Sequence, residues 1–205
     1  TQKMSDILLH LAPHIAASLL YAALGFHFWH TRWHGSGKPL APLPMQQWER
    51  AAIAATLVIH GMGVYEALFA TGALRFSFSL AASLMLWLAV LIYWLESFQS
   101  RMDGMQPMVL PLAAISSILP AIFPNTHEIG HASTWGFKVH FLTAMLAYSL
   151  FTLSAVHALF MSFIEQKLHR KAINKHQTSL PSILAMESVL FRMIGSAFLL
   201  LTVTL

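Results

Sequence analysis

Six stretches of the chain stay apolar over a length that matters: Ile7–Trp29, Trp48–Ala70, Phe76–Phe98, Met108–Phe123, Gly136–Ile164 and Ile183–Leu205. A bilayer core is about 30 Å thick, so about 20 apolar residues in a helix cross it. The first, second, third and sixth stretches have that length. The fifth would be roughly 43 Å of continuous helix, so it must tilt or protrude. The fourth, MVLPLAAISSILPAIF, is short and holds Pro111 and Pro120. It predicts a kinked span or a re-entrant piece, because neighbouring helices can satisfy the carbonyls that a proline leaves free. His34–Pro44 (HGSGKPLAPLP) reads as a loop. The pattern predicts an all-α integral membrane protein: one polytopic domain over residues 1–205 with about six transmembrane helices. The first stretch is too long, and too rich in His and aromatic residues, for a signal-peptide core. The sixth has no polar flank, so a continuation beyond Leu205 is expected.

Composition narrows the classes. The 205 residues are 57% hydrophobic and only 10% charged, where a soluble domain carries about 25% charged residues. That excludes a soluble globular domain and a disordered chain. There is no cysteine, which removes disulfides, thiolate metal sites, iron–sulfur clusters and covalent haem attachment. The basic residues lack the clustering that a nucleic-acid surface needs, so membrane lipid is the expected partner. Their placement is informative. Arg32, Lys38, Arg50, Arg101, Lys167, Arg170, Lys171 and Lys175 fall on one side of the predicted membrane, and Lys3, Arg75 and Lys138 on the other. The positive-inside rule then puts the N-terminus outside and the Glu165–Ser182 loop in the cytoplasm.

Ionisable groups inside a bilayer cost about 2.5–3.5 kcal/mol each when charged, so each asks for a reason. His60 lies mid-stretch in LVIHGMGVYE. It reads either as an interhelical hydrogen-bonder or as a haem or metal ligand. Glu66 lies nearer the outer end, and with His60 it also suits a small-solute or ion transporter subunit. His10 and His14, one turn apart, read as interfacial residues, with Pro13 in the first two helical turns. His27, His30 and His34 with Trp29 and Trp33 read as an aromatic belt. His127, Glu128 and His131 spell H-E-x-x-H, the zinc-protease pattern when helical. Pro124, Gly130 and Ser133 around it favour an exposed loop with a short helical turn, and the downstream acids that could be a third ligand, Glu165 and Glu187, map to the opposite side of the membrane. His140 and His157 share the fifth stretch but stand about 25 Å apart, so one iron cannot take both. His157 reads as a core hydrogen-bonder. Arg192, in ESVLFRMIG, reads as a snorkelling cation or a partner for a buried acid or a haem propionate.

Two of these stretches carry a resemblance. KVHFLTAMLAYSLFTLSAVHALF resembles a helix of CcsA-type cytochrome c assembly proteins, in which an outer histidine precedes a Ser/Ala-Tyr pair; here these are His140 and Ala147-Tyr148. LAMESVLFRMIGSAFLLLTVTL resembles the next family helix through Phe191, Arg192, Gly195, Phe198, Leu199, Leu200 and Thr202. The N-terminus looks most like the small YpjD- or HemX-like inner-membrane branch. The resemblance implies an eight-helix fold, a bacterial inner-membrane location with a periplasmic N-terminus, and haem as cargo. It also implies other cytochrome c assembly proteins as partners. The family's Trp-rich loop is missing from this sequence, so the resemblance implies haem binding or support of assembly rather than ligation, with no catalytic residues. His140 and His60 are then the candidate iron ligands, with Tyr148 beside the haem and Arg192 for its propionates. Fourteen Phe and eleven Met suit a porphyrin face, as they suit any membrane helix.

Overall fold

The computed structural model describes residues 2–33, 45–69, 75–98, 104–124, 127–128, 134–171 and 183–204, with side chains over 11–32, 45–69, 75–98, 104–124, 134–166 and 186–204. It contains helices α1 (Gln2–Phe28), α2 (Gln47–Phe69), α3 (Phe78–Glu96), α4 (Gln106–Ile122), α5 (Trp135–Lys171) and α6 (Ile183–Thr204). A π-helical turn, Trp29–Trp33, extends α1. Two short strands, β1 (Arg75–Phe76) and β2 (His127–Glu128), pair antiparallel, with Arg75 opposite Glu128. The architecture is all-α. Five helices are long and apolar enough to cross a membrane, and α4, at 17 residues, is shorter.

The expected runs and the observed helices differ in instructive ways. The first helix begins at Gln2, ahead of its apolar run, so Pro13 stands about three turns in rather than near the start. The fourth stretch is a continuous helix despite Pro111 and Pro120, and Pro107 occupies its first turn, where a missing N–H costs nothing. The fifth helix runs to Lys171, past the last apolar residue. His127 and Glu128 are extended, not in the expected helical turn. The helical zinc-protease geometry therefore fails at its first two residues; Ile129–Ser133 lie outside the described residues.

In lipid, apolar contact does not by itself drive helices together; close packing and polar links do. Helix α4 packs between α1 and α3, α2 leans on both of those, and α5 packs on α3 and carries α6 at the edge. Gly25 lets α1 approach α4: a Cβ there would lie 3.2 Å from the Pro111 ring. The polar links are numerous. Trp87 and Trp94 of α3 donate to the Leu57 and Arg50 carbonyls of α2, at 2.8 and 3.0 Å. Ser18 of α1 donates to the Ala114 carbonyl at 2.9 Å. Ser77 caps α3 by accepting the Leu80 N–H at 3.1 Å, and Ser79 donates to the Phe123 carbonyl that ends α4. Those last bonds fix the β1 ribbon against the ends of α3 and α4.

Candidate functional site

Two cavities flank the ribbon end of the bundle. Neighbouring residues of a strand point to opposite faces. Arg75 and Ser77 line one cavity, and Phe76 between them lines the other.

The first cavity, of about 260 Å³, is walled by His14, Glu66, Arg75, Ser77 and Pro120 among others. His14 is buried, and its Nδ1 donates to the Ser117 carbonyl at 3.1 Å. In the neutral ring that leaves Nε2 as the acceptor. Ser117 lies in the turn before Pro120, whose missing N–H leaves the neighbouring Ser116 carbonyl without its helical partner. Gly63 of α2 makes room for this imidazole, since a Cβ there would sit 3.2 Å from His14 Cε1. One turn further along α2, His60 is 0% exposed. Its Nε2 hydrogen-bonds Ser83 Oγ of α3 at 2.9 Å, and its ring meets Tyr21 of α1 edge-on at 5.6 Å. His60 Nδ1 and Tyr21 Oη are buried without a hydrogen-bond partner.

The second cavity is a groove of about 290 Å³ along the start of α5, lined by Phe76, Phe137, His140, Phe141, Met145 and Tyr148. The α5 positions recur every three or four residues, which puts them on one helical face. Phe137 and Phe141 stack with centroids 6.3 Å apart, and Phe76 closes edge-on against Phe141 at 5.8 Å. His140 is exposed at this face.

The opposite end of the bundle is held by charge. Glu49, at the start of α2, accepts from Arg32 Nη2 at 2.8 Å, from His27 Nε2 at 3.1 Å and from the Gln46 N–H at 2.7 Å. The Glu49 and Arg32 side chains are only 3% and 6% exposed. Arg50 donates to the Ser97 carbonyl at 3.0 Å with its guanidinium over the Phe98 ring. His157 of α5 is buried here, as a core hydrogen-bonder, against Met105 and the Met186 carbonyl.

Of the four residues singled out in the sequence, the structure brings His140 and Tyr148 into one groove. His60 is elsewhere, inside the contact of α1, α2 and α3. Arg192 is exposed on α6 and lies 4.0 Å from Glu96, at the far end of α3. Phe78 and Glu96 bound α3, so Arg192 is about 27 Å of helix away from the groove. His14 is a correction: its place early in the apolar run suggested an interfacial residue, but α1 begins upstream and carries it into the core. Glu49 went unread. Its signal was positional: a hairpin of two spans brings the end of the first, with His27 and Arg32, to the start of the second. Among the described residues no group of three His, Asp or Glu is disposed to hold a metal ion.

Comparison with known proteins agrees with the resemblance over most of the chain and leaves α1 outside it. No curated protein and no solved structure matches the chain significantly. The family model described as cytochrome C assembly protein matches residues 48–205, from the first turn of α2 through α6. A match over that much of the chain, on a bundle of this architecture, makes the protein a member of the cytochrome c assembly protein family.

Proposed function

We propose that this protein binds haem at the α5 groove and supports cytochrome c assembly as a multi-pass protein of the bacterial inner membrane. The observation that carries the reading is the exposed His140 imidazole beside a wall of Phe76, Phe137, Phe141 and Tyr148. Haem is a flat apolar ring with an iron that takes an imidazole nitrogen and two propionates that seek cations or water. The donor set of the groove fits it. His140 offers the nitrogen, the stacked phenylalanines offer the flat wall, and Met145 and Tyr148 extend that wall along α5. Lys138, exposed two residues earlier, is a cation near the groove mouth. Arg192 belongs to the opposite end, where a haem arriving from within the cell would present its propionates, and His60 is the candidate ligand between. Other cytochrome c assembly proteins are the partners proposed for the exposed groove.

The test is spectroscopic. Purified protein titrated with haemin should develop a Soret band. His140→Ala should weaken haemin binding by at least about tenfold, or 1.4 kcal/mol. His169→Ala, in the last turn of α5 at the other end of the bundle, should change neither affinity nor band position. Equal spectra for wild type and His140→Ala would move the site to His60. A second reading, an ion or small-solute pathway, draws on His14 and Glu66 in the other cavity with His60 one turn further in. A colourless protein that ignores haemin would favour it.

The proposed orientation has the N-terminus and the groove on the periplasmic side. Its support is the surplus of Lys and Arg at the other ends of the spans. Alkaline phosphatase, which is active only outside the cytoplasm, should be inactive when fused after Lys175. An active fusion would reverse the topology.

A further inference from the structure

The cavity beside His14 carries opposite charges that do not meet. Arg75 and Glu66 both line it, and among the described residues the Arg75 guanidinium has no hydrogen-bond or ion-pair partner. A third polar atom is also unanswered. His14 gives its one N–H to the Ser117 carbonyl, so Nε2 keeps a bare lone pair. The ring is 5% exposed, yet that nitrogen is not sealed in protein as His60 Nδ1 is; it opens on the cavity. The hydroxyls of Ser77 and Ser79 are already engaged with each other, the Leu80 N–H and the Phe123 carbonyl. The cavity therefore offers one cation, one carboxylate and one neutral acceptor, between apolar walls of Leu11, Leu80 and Phe123.

Depth in the membrane says where a ligand comes from. Glu66 lies in the last turn of α2, which ends at Phe69, and Arg75 lies just ahead of α3, which starts at Phe78. At the ends of two spans the hydrocarbon gives way to lipid headgroups. We propose that this cavity seats the headgroup of phosphatidylethanolamine, with its phosphate on Arg75 and its ammonium between Glu66 and His14 Nε2. A guanidinium is a fork of donors that matches phosphate oxygens. An ammonium has three N–H donors and no acceptor, the complement of a carboxylate and a bare imidazole nitrogen. A choline headgroup has no N–H to give, and a glycerol headgroup brings no positive charge to Glu66. The volume of about 260 Å³ is small beside the roughly 300–1,000 Å³ of pockets that enclose a drug-sized molecule. It takes a headgroup and leaves the acyl chains in the bilayer, past Phe123, which is exposed on the bundle surface. The His140 groove is on the other face of the ribbon, so the lipid site stands or falls independently of the haem proposal.

The experiment uses the full chain, stripped of lipid in detergent, titrated with dioleoyl lipids and read by native mass spectrometry. One phosphatidylethanolamine per chain should be retained, at least about tenfold more tightly than phosphatidylcholine or phosphatidylglycerol. Glu66→Gln keeps the side chain's shape at an exposed position, so it should leave the melting temperature unchanged while abolishing that preference. Arg75→Gln should weaken phosphatidylethanolamine at least about tenfold, and His140→Ala should leave its binding as in wild type. Should Arg75→Gln fail to fold, Glu66→Gln and the wild-type preference still decide the question. Free phosphoethanolamine at the same concentration should not displace the lipid; displacement would assign the cavity to a soluble aminoalkyl phosphate and overturn the lipid site. Equal retention of the three lipids, or a preference that survives Glu66→Gln, would overturn it as well.

Discussion

Glu49→Ala should be the most damaging single substitution described here, at about 3–5 kcal/mol, the range for breaking a buried ion pair from one side. The carboxylate accepts from three donors on two segments: Arg32 and His27 at the end of the first span, and the Gln46 N–H before α2. Removing it strands the Arg32 guanidinium, which is 6% exposed and already has a buried Nε without a partner. The first and second spans would lose the link that closes their hairpin. Arg32→Met should cost less, because it leaves the Glu49 carboxylate two of its three donors, His27 and the Gln46 N–H. In the double variant the two losses should not add, since groups in one network couple. Unfolding in detergent followed by tryptophan fluorescence is a suitable readout, because Trp48 packs on His27 at 5.0 Å. A Glu49→Ala protein as stable as wild type would mean that the clamp contributes nothing.

His60→Ala should follow, at about 3 kcal/mol, in the range for emptying a large buried side chain. The ring is 0% exposed, packs on Tyr21 and bonds Ser83, itself fully buried. His60→Phe refills the space and should recover most of the loss, leaving about 1 kcal/mol for the Ser83 hydrogen bond. Adding Ser83→Ala should remove that remainder. The same variants separate the two readings of His60. A stable His60→Phe protein that binds haemin like wild type makes the residue a structural hydrogen-bonder. One that folds but loses haemin makes it a ligand.

The helices were largely legible because length and hydropathy are properties of a segment alone. Even so, their ends were not. α5 outlasts its apolar run because Glu165, Gln166, Lys167 and Leu168 are good helix formers, and propensity continues where hydropathy stops. α4 could not be told from a re-entrant piece, since the side chains that bond its Ser117 and Ala114 carbonyls, His14 and Ser18, sit on another helix. Within the site, His140 and Tyr148 were legible together because one helix fixes their spacing. Phe76, which completes their groove, comes from a two-residue strand too short to leave a pattern.

The sequence by itself determined an apolar, cysteine-free, all-helical membrane chain, the order of its spans and the family it resembles. These follow from composition and from residues in fixed order along single helices. Only the tertiary structure decided that His14 is inside and what each buried histidine meets there. Lipid and protein interior are about equally apolar, so a membrane helix need not mark its buried face with hydrophobicity. The rotation of α1 that buries His14, the seat of His60 on Ser83, and the meeting of His157 with Met105 are set by which small residue, proline or carbonyl the neighbouring helix offers at that depth.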